Sequence, residues 1–323
     1  MADLFLHDWK QDPLSEPIRK GFGIGLKKAG EQDERVVALC ADLTDSTQIS
    51  LFAEAFPERY VEVGIAEQNL VTVASGMAAM GKIPFTSSYA AFSPGRNWEQ
   101  IKTTICLNDR PVKIVGSHAG LYTGPDGATH QMLEDVALMR VLPNMVVVVP
   151  GDSIEAEKAT IALAQDLRPG YIRVARDKSA ILTTDKTPFE IGKAYVFSPG
   201  QDLTIISNGT MTAVALEAAE LLFHDGIDAE VIHCPTVKPL DSATILASVK
   251  KTKRVITIEE AQVAGGLGGA VAELLSEHLP VPVIRMGVKD VFGQSGTPAE
   301  LLEHYGLTAK QVMLQAHHLK ENF

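Results

Sequence analysis

The chain contains few cysteines and no long apolar run. Three of its 323 residues are cysteines, Cys40, Cys106 and Cys234, and none is paired in a CxxC motif. This count predicts neither a disulfide framework nor a zinc site, and Cys40 and Cys106 lie in apolar runs typical of a core. No stretch reaches the roughly 18 to 20 apolar residues of a membrane span, and the N-terminus lacks a signal-peptide pattern. We therefore expect a cytoplasmic protein without membrane contact.

Positive charge is also scarce, because 29 Lys and Arg against 40 Asp and Glu give a formal net charge of −11. This balance argues against nucleic acid or an anionic membrane surface as the main partner. A negative net charge is still compatible with small phosphorylated ligands, because a local cluster of Arg and His can make one site positive. The length is sufficient for two domains, each with its own core.

Short apolar runs and helical periods alternate along the chain. Strands are predicted at 34–43, 83–87, 112–116, 145–149 and 171–174, with helices at 17–28, 49–56, 98–106, 134–140 and 154–164. This alternation predicts an α/β fold with a mostly parallel sheet and helices on both faces. The pattern lapses in TTDKTPFEIG and then resumes, so we expect two doubly wound domains, residues 1–187 and a smaller one at 188–323.

The segment YVEVGIAEQNLVTVASGMAAMG, residues 60–81, carries an acid among apolar neighbours. It begins as a short strand and continues at helical spacing with small apolar residues, so we expect the helix to be completely buried. Burial of Glu67 would favour the protonated carboxyl, which can donate a hydrogen bond. The alternative is a solvated acid in the first turn of the helix.

Two aromatic residues and an arginine follow the next predicted strand, in SSYAAFSPGRNWEQI at 87–101. Tyr89 and Phe92 are three residues apart and could form one wall of a pocket, with Arg96 one turn beyond. Aromatic pairs at this spacing are also common in ordinary cores. The sequence therefore leaves a ligand-binding wall and a packing role both open.

The segment GSHAGLYTGPDGATHQ, residues 116–131, follows the strand after that. Loops at the carboxyl ends of parallel strands are where open α/β sheets form their sites. His118, Asp126 and His130 in such a loop are candidate substrate contacts or metal ligands, and surface residues are the alternative.

GIAEQN and GPDGATHQ together resemble the transketolase family, in which the second signature reads GEDGPTHQ. The resemblance implies that Glu67 shares a proton with the aminopyrimidine ring of thiamine diphosphate and so activates the cofactor. In the related deoxyxylulose-phosphate synthases an aromatic pair and an arginine hold that ring, and Tyr89, Phe92 and Arg96 match them. The resemblance covers a pyrimidine-binding domain and a transketolase C-terminal domain.

The same resemblance implies how a substrate would be held. His118 and His130 would contact donor oxygens near the reacting carbon and act as catalytic residues with Glu67. Asp126 would contact the next hydroxyl, although Pro125 replaces the acid that precedes it in the family. ADLTDS resembles the family's ADLTPS, and arginines in the opening helix and after a strand match phosphate-binding arginines. The implied phosphate clamp comprises Ser46, Arg19, Arg176 and His118.

The GDG motif and downstream Asn-Asn, which hold the diphosphate through Mg²⁺ in thiamine enzymes, do not occur here. The resemblance therefore implies a separate N-terminal subunit that supplies them, a heterotetramer, and no metal site on this chain. The implied reaction moves a two-carbon ketol unit between sugar phosphates, as in the pentose phosphate pathway. Alternatives are a 2-oxo acid dehydrogenase beta subunit, a deoxyxylulose-phosphate synthase-like enzyme and a non-catalytic binding homologue.

Overall fold

A seven-stranded sheet forms the centre of the N-terminal domain in the computed structural model, which describes residues 6–322. All neighbouring strands are parallel except one pair at an edge of the sheet, in which Thr236–Lys238 (β12) runs antiparallel to Val146–Val148 (β6). In spatial order the strands are Thr236–Lys238 (β12), Val146–Val148 (β6), Gly170–Val174 (β7), Lys113–Ser117 (β5), Ile83–Tyr89 (β4), Val36–Cys40 (β2) and Tyr60–Glu62 (β3). The mostly parallel sheet predicted from the sequence is confirmed.

Helices cover both faces of this sheet. They are Ile18–Gln32 (α1), Ser50–Ala55 (α2), Glu67–Ala79 (α3), Trp98–Gln100 (α4) with a π-helical continuation at Ile101–Cys106, Asp135–Arg140 (α5) and Ser153–Gln165 (α6), with 3₁₀ turns at Pro57–Arg59 and Leu121–Asp126. Helices α1 and α6 pack together on one face, and α3 lies with the π-helical segment on the other. A small antiparallel pair, Ser15–Pro17 (β1) and Lys178–Ala180 (β8), lies beside the sheet.

The C-terminal domain repeats this arrangement around five strands. They are, in spatial order, Val283–Val288 (β14), Val255–Gln262 (β13), Leu203–Ser207 (β10), Ala229–His233 (β11) and the antiparallel Tyr195–Ser198 (β9). Its helices are Met211–His224 (α7), Ser242–Thr252 (α8), Leu267–His278 (α9), Pro298–His304 (α10) and Ala309–Asn322 (α11). Helices α7 and α11 contribute to the core on one face, and α8 and α9 to the core on the other. The two doubly wound domains are thus both present.

The structure corrects one expectation about the helix that contains Glu67. Helix α3 is not completely buried, because Val73 is 41% exposed and the flanking Ile65 and Met80 are 73% and 84% exposed. Leu70 and Val71 on the opposite side are fully buried against the sheet. The helix therefore has one packed face and one open face, and the open face carries the polar Gln68 and Asn69 as well as Val73.

Buried polar contacts connect the two domains. Glu155 of α6 accepts a hydrogen bond from His233 of β11 at 2.7 Å. Arg173 of β7 contacts Asp135 of α5 at 2.9 Å and Glu260 of β13 at 3.4 Å. Since charges buried this deeply are tolerated only with partners, these contacts fix how the two sheets meet. Between residues 6 and 322, no helix has both the length and the apolar character to cross a membrane.

Candidate active site

The predicted site residues lie along one edge of the N-terminal sheet. Tyr89 ends β4, His118 directly follows β5, and Arg176 comes two residues after β7. Ser46 lies in the loop after β2, and Arg19 is in the first turn of α1. Parallel strands present their carboxyl ends at one edge of a sheet, so residues far apart in the chain meet there. Arg19 and Arg176, for example, are 157 positions apart in the sequence.

Glu67 is the first residue of α3 and is 5% exposed. Glu67 is therefore an acid in the first turn of the helix, as in the alternative interpretation, but it is buried instead of solvated. Arg96 donates from Nη1 to Glu67 Oε1 at 3.0 Å, and both line an open cleft of about 400 Å³ with Ile65 and Gln68. The structure thus pairs Glu67 with Arg96, two residues that the sequence separates by 29 positions.

Asn97 is a site residue that the sequence reading missed. It is fully buried, and its Nδ2 donates to the backbone oxygen of Glu67 at 2.7 Å and to Ser93 Oγ at 3.1 Å. These bonds fix the start of α3 to the turn that carries Arg96. Its position directly after Arg96 is the feature of the sequence that could have identified it as a site residue.

Aromatic rings form a continuous wall next to this pair. The Tyr89 ring stacks on His118 with centroids 3.8 Å apart, and Phe92 meets His130 edge-on at 5.4 Å. The guanidinium carbon of Arg96 lies 4.1 Å from the Phe92 ring centre, a cation–π contact. The predicted aromatic pair therefore lines the site, and it connects Arg96 to both histidines.

His118 is held in a defined orientation and is uncharged. Its Nδ1 lies 2.9 Å from Ser117 Oγ, and its backbone oxygen accepts a hydrogen bond from Thr123 at 2.6 Å. Burial, together with the positive charge of Arg19 and Arg176, lowers the pKa of His118 to about 3. A neutral imidazole can exchange hydrogen bonds with sugar hydroxyls near neutral pH without carrying a charge.

Two arginines approach each other beside His118. Arg19 donates to the backbone oxygen of Ser46, and Arg176 donates to the backbone oxygen of Thr123 at 2.9 Å. Burial and then the neighbouring Arg176 lower the pKa of Arg19. Like charges placed together repel each other, so this cluster favours binding of an anion.

Asp126 forms an ion pair with Arg176, a contact that the sequence did not predict. Its Oδ1 accepts from Arg176 Nη1 at 3.1 Å, and both side chains are about one-third exposed. Glycines with positive φ, Gly124 at 71° and Gly127 at 75°, shape the turn that places it there. The residues predicted to contact a substrate hydroxyl and a phosphate therefore belong to one connected group.

Metal-ligating side chains do not gather in the described part of the chain. Among residues 6–322, no three His, Cys, Asp or Glu side chains form a group that could hold a metal ion.

Comparison with known proteins matches both domains to family models. Residues 16–180 match the transketolase pyrimidine binding domain, and residues 192–312 match the transketolase C-terminal domain. These matches define the class as enzymes that bind the pyrimidine ring of a thiamine cofactor. The chain belongs to the transketolase family.

Similar proteins include separately encoded transketolase chains. A Methanocaldococcus jannaschii protein, provisionally named a transketolase C-terminal section, is 43% identical over 91% of this chain and 93% of its own length. The 6-deoxy-6-sulfo-D-fructose transketolase subunit SqwH of Clostridium sp. strain MSTE9 is 42% identical over 92% of each chain. A solved structure described as a split gene transketolase, inactive beta4 tetramer, superposes with a TM-score of 0.89 at 45% identity, covering 94% of this chain and 98% of that one. Deoxyxylulose-phosphate synthases also match, and this chain spans about half of their length.

Proposed function

We propose that this chain is the C-terminal subunit of a two-chain transketolase that transfers a two-carbon ketol unit between sugar phosphates. The observation that carries the proposal is the meeting of Glu67, the aromatic wall and the Arg19–Arg176 cluster along one sheet edge. Near-complete alignment with separately encoded relatives supports the two-chain form.

The residues present fit the pyrimidine end of thiamine diphosphate. The buried Glu67 carboxyl opens onto a cleft of about 400 Å³, and the Phe92 ring contacts Arg96, which lines the same cleft. When bound, the cofactor would supply the carbanion chemistry, which protein side chains cannot supply alone. Glu67 would hold a proton at the ring nitrogen, and Tyr89, Phe92 and Arg96 would hold the ring in place.

The other half of the group binds and orients the sugar. His118 and His130 would exchange hydrogen bonds with donor oxygens, and Asp126 would accept from the next hydroxyl. Arg19 and Arg176, with Ser46, would bind the phosphate. Since residues 6–322 offer no cluster of metal ligands, we assign Mg²⁺ and the diphosphate to an N-terminal partner subunit, in a cytoplasmic heterotetramer.

Affinity capture of the tagged chain from its own host tests this proposal. We expect one stoichiometric partner that carries GDG and Asn-Asn, and ketol transfer only when both chains, thiamine diphosphate and Mg²⁺ are present. Oxidation of 2-oxo acids, or condensation of pyruvate with glyceraldehyde phosphate, by the captured complex would instead support the dehydrogenase or the synthase alternative. Capture of the chain alone, with no ketol transfer, would support the non-catalytic alternative.

A sulfonated ketose is a second candidate donor. The 42% identity with a subunit named for 6-deoxy-6-sulfo-D-fructose favours it, and a sulfonate also presents three oxygens and negative charge to an arginine cluster. Parallel assays with a ketose phosphate and 6-deoxy-6-sulfofructose distinguish the two, because the true donor has the higher kcat/KM.

Replacing Arg19 tests the anion clamp. Arg19→Met should lower kcat/KM for the charged donor about 10- to 100-fold, because a charge-assisted hydrogen bond is lost. The same donor without its phosphate should react equally with both forms. Arg35→Met, which removes an exposed arginine paired with Asp33, is the matched control and should change neither value. An equal loss with charged and uncharged donors would assign Arg19 to structure instead.

A further inference from the structure

A loop of the C-terminal domain packs directly on the loop that carries Asp126 and His130. We call residues 121–131 the donor loop and residues 289–297, between β14 and α10, the clasp. The clasp is fixed to its own domain at two points. Gln262 Nε2 donates to the Val291 oxygen at 2.8 Å, and the Tyr305 hydroxyl donates to the Phe292 oxygen at 3.0 Å.

Gln131, the last residue of the donor loop, joins the two segments. Its side chain is 4% exposed, and its Nε2 donates to two backbone oxygens, that of Gly124 at 3.0 Å and that of Gln294 at 2.9 Å. One amide group therefore closes the donor loop on itself and holds it to the other domain. The contact spans 163 positions in the sequence.

The surfaces fit so closely that a methyl group added to either loop at these glycines would displace a side chain of the other loop. A Cβ at Gly293 would lie 1.8 Å from Gln131 Oε1, and a Cβ at Gly127 would lie 2.7 Å from Ser295 Oγ. Both distances are well below van der Waals contact. Next to this contact, the donor loop is closed by two backbone hydrogen bonds. The N–H groups of His130 and Gln131 donate to the Gly127 oxygen at 3.0 and 2.9 Å.

We propose that Gln131 is a positioning residue through which the C-terminal domain fixes Asp126 and His130 for the donor sugar. This inference rests on the proposed ketol transfer only for its kinetic consequence. The structural part, that the amide of Gln131 orders both loops, applies to the chain by itself. It gives the C-terminal domain a defined role in a site whose other residues all belong to the N-terminal domain.

Hydrogen exchange on the purified chain tests the structural part without any activity. Gln131→Met keeps the length of the side chain but removes both donated bonds, so backbone amides of 127–131 and 290–297 should exchange at least about tenfold faster. Thr204→Val is the control, because it breaks buried hydroxyl bonds of the C-terminal core, to Ser248 and Thr252, away from either loop. Equal exchange in wild type and Gln131→Met, or acceleration by Thr204→Val to the same degree, would overturn the proposal.

Kinetics of the assembled enzyme test the positioning part. Gln131→Met should lower kcat/KM for the donor about tenfold and reduce its preference over the epimer at the hydroxyl that Asp126 contacts. Thr204→Val should leave that preference unchanged. Unchanged preference in Gln131→Met, despite faster exchange, would overturn the positioning role. If wild type shows no ketol transfer, the proposed function fails, and hydrogen exchange alone decides whether the two loops are joined through Gln131.

Gly293→Ala approaches the same contact from the other side. Since its methyl group would displace Gln131, it should accelerate exchange in the donor loop as Gln131→Met does. Combining the two substitutions should then add little, because both remove one interaction. Fully additive effects would show that the two residues act separately and would contradict the proposal.

Discussion

Glu67→Gln in the assembled two-chain enzyme is expected to lower ketol transfer at least about 100-fold. A glutamine has nearly the same size and polar shape, but it cannot share a proton with a ring nitrogen of the cofactor. Positioned acid–base groups typically contribute a factor of roughly 10² to 10⁴, which sets the scale of the loss. The measurement is the steady-state kcat of wild type and variant at saturating thiamine diphosphate and Mg²⁺.

Two controls separate proton sharing from assembly. Glu58→Gln changes an exposed acid in the turn before β3 and should leave the rate unchanged. Because Glu67→Gln also removes the ion pair with Arg96, thermal unfolding and recovery of the partner subunit should be compared with wild type. A properly assembled variant that retains activity within about tenfold, roughly 1.4 kcal/mol of barrier, would contradict the activation role.

The order of the elements could be predicted from the sequence because strands and helices differ in period and length. Predicted helices at 17–28 and 154–164 correspond to α1 and α6, and the strand at 34–43 contains β2. The C-terminal pair α10 and α11 was not predicted. Helix α10 nevertheless begins with a capping box between Thr297 and Glu300, a signal present in TPAE.

Residue types at the site could be predicted, but their pairing could not. Motifs identified Glu67, Arg96, Asp126 and Arg176 one by one, yet they gave no reason for Arg96 to contact Glu67 or for Arg176 to contact Asp126. Those contacts depend on how loops from different strands meet at the sheet edge. The open face of α3 was not predicted for a related reason. Small apolar residues allow a helix face to be buried, but they do not show whether another part of this chain covers that face.

The sequence did not predict the cluster of buried charges at the domain junction. Arg173 reads in sequence as one residue of an ordinary strand, and Asp135 and Glu260 as helix and strand acids. In the structure all three are almost inaccessible, and Tyr171 donates to Asp135 at 2.7 Å beside them. A sequence pattern cannot show a charged cluster whose members come from three separated segments.

Arg173→Met is expected to lower the free energy of unfolding by about 3–5 kcal/mol at pH 8. The substitution preserves an unbranched apolar stem, but it leaves the carboxyls of Asp135 and Glu260 buried without their cation. It also removes donors to the backbone oxygens of Met132 and Glu260, at 3.3 and 3.0 Å. Chemical denaturation of the purified chain measures the loss. Arg285→Met, which replaces an exposed arginine that donates to the Val263 oxygen, is the matched control and should cost less than about 1 kcal/mol.

The loss in Arg173→Met should shrink as the pH falls from 8 to 5. Burial raises the pKa of Glu260 to about 7 even though Arg173 opposes that shift, so removal of Arg173 raises this pKa further. An acid whose pKa is higher in the folded state binds more protons there than when unfolded, and its stabilising effect is lost as pH rises through the folded pKa. At pH 5 the unpaired Glu260 carboxyl is therefore neutral when folded and costs less than at pH 8. An equal loss at both pH values would show that the cost of Arg173→Met comes from packing and not from the uncompensated charge.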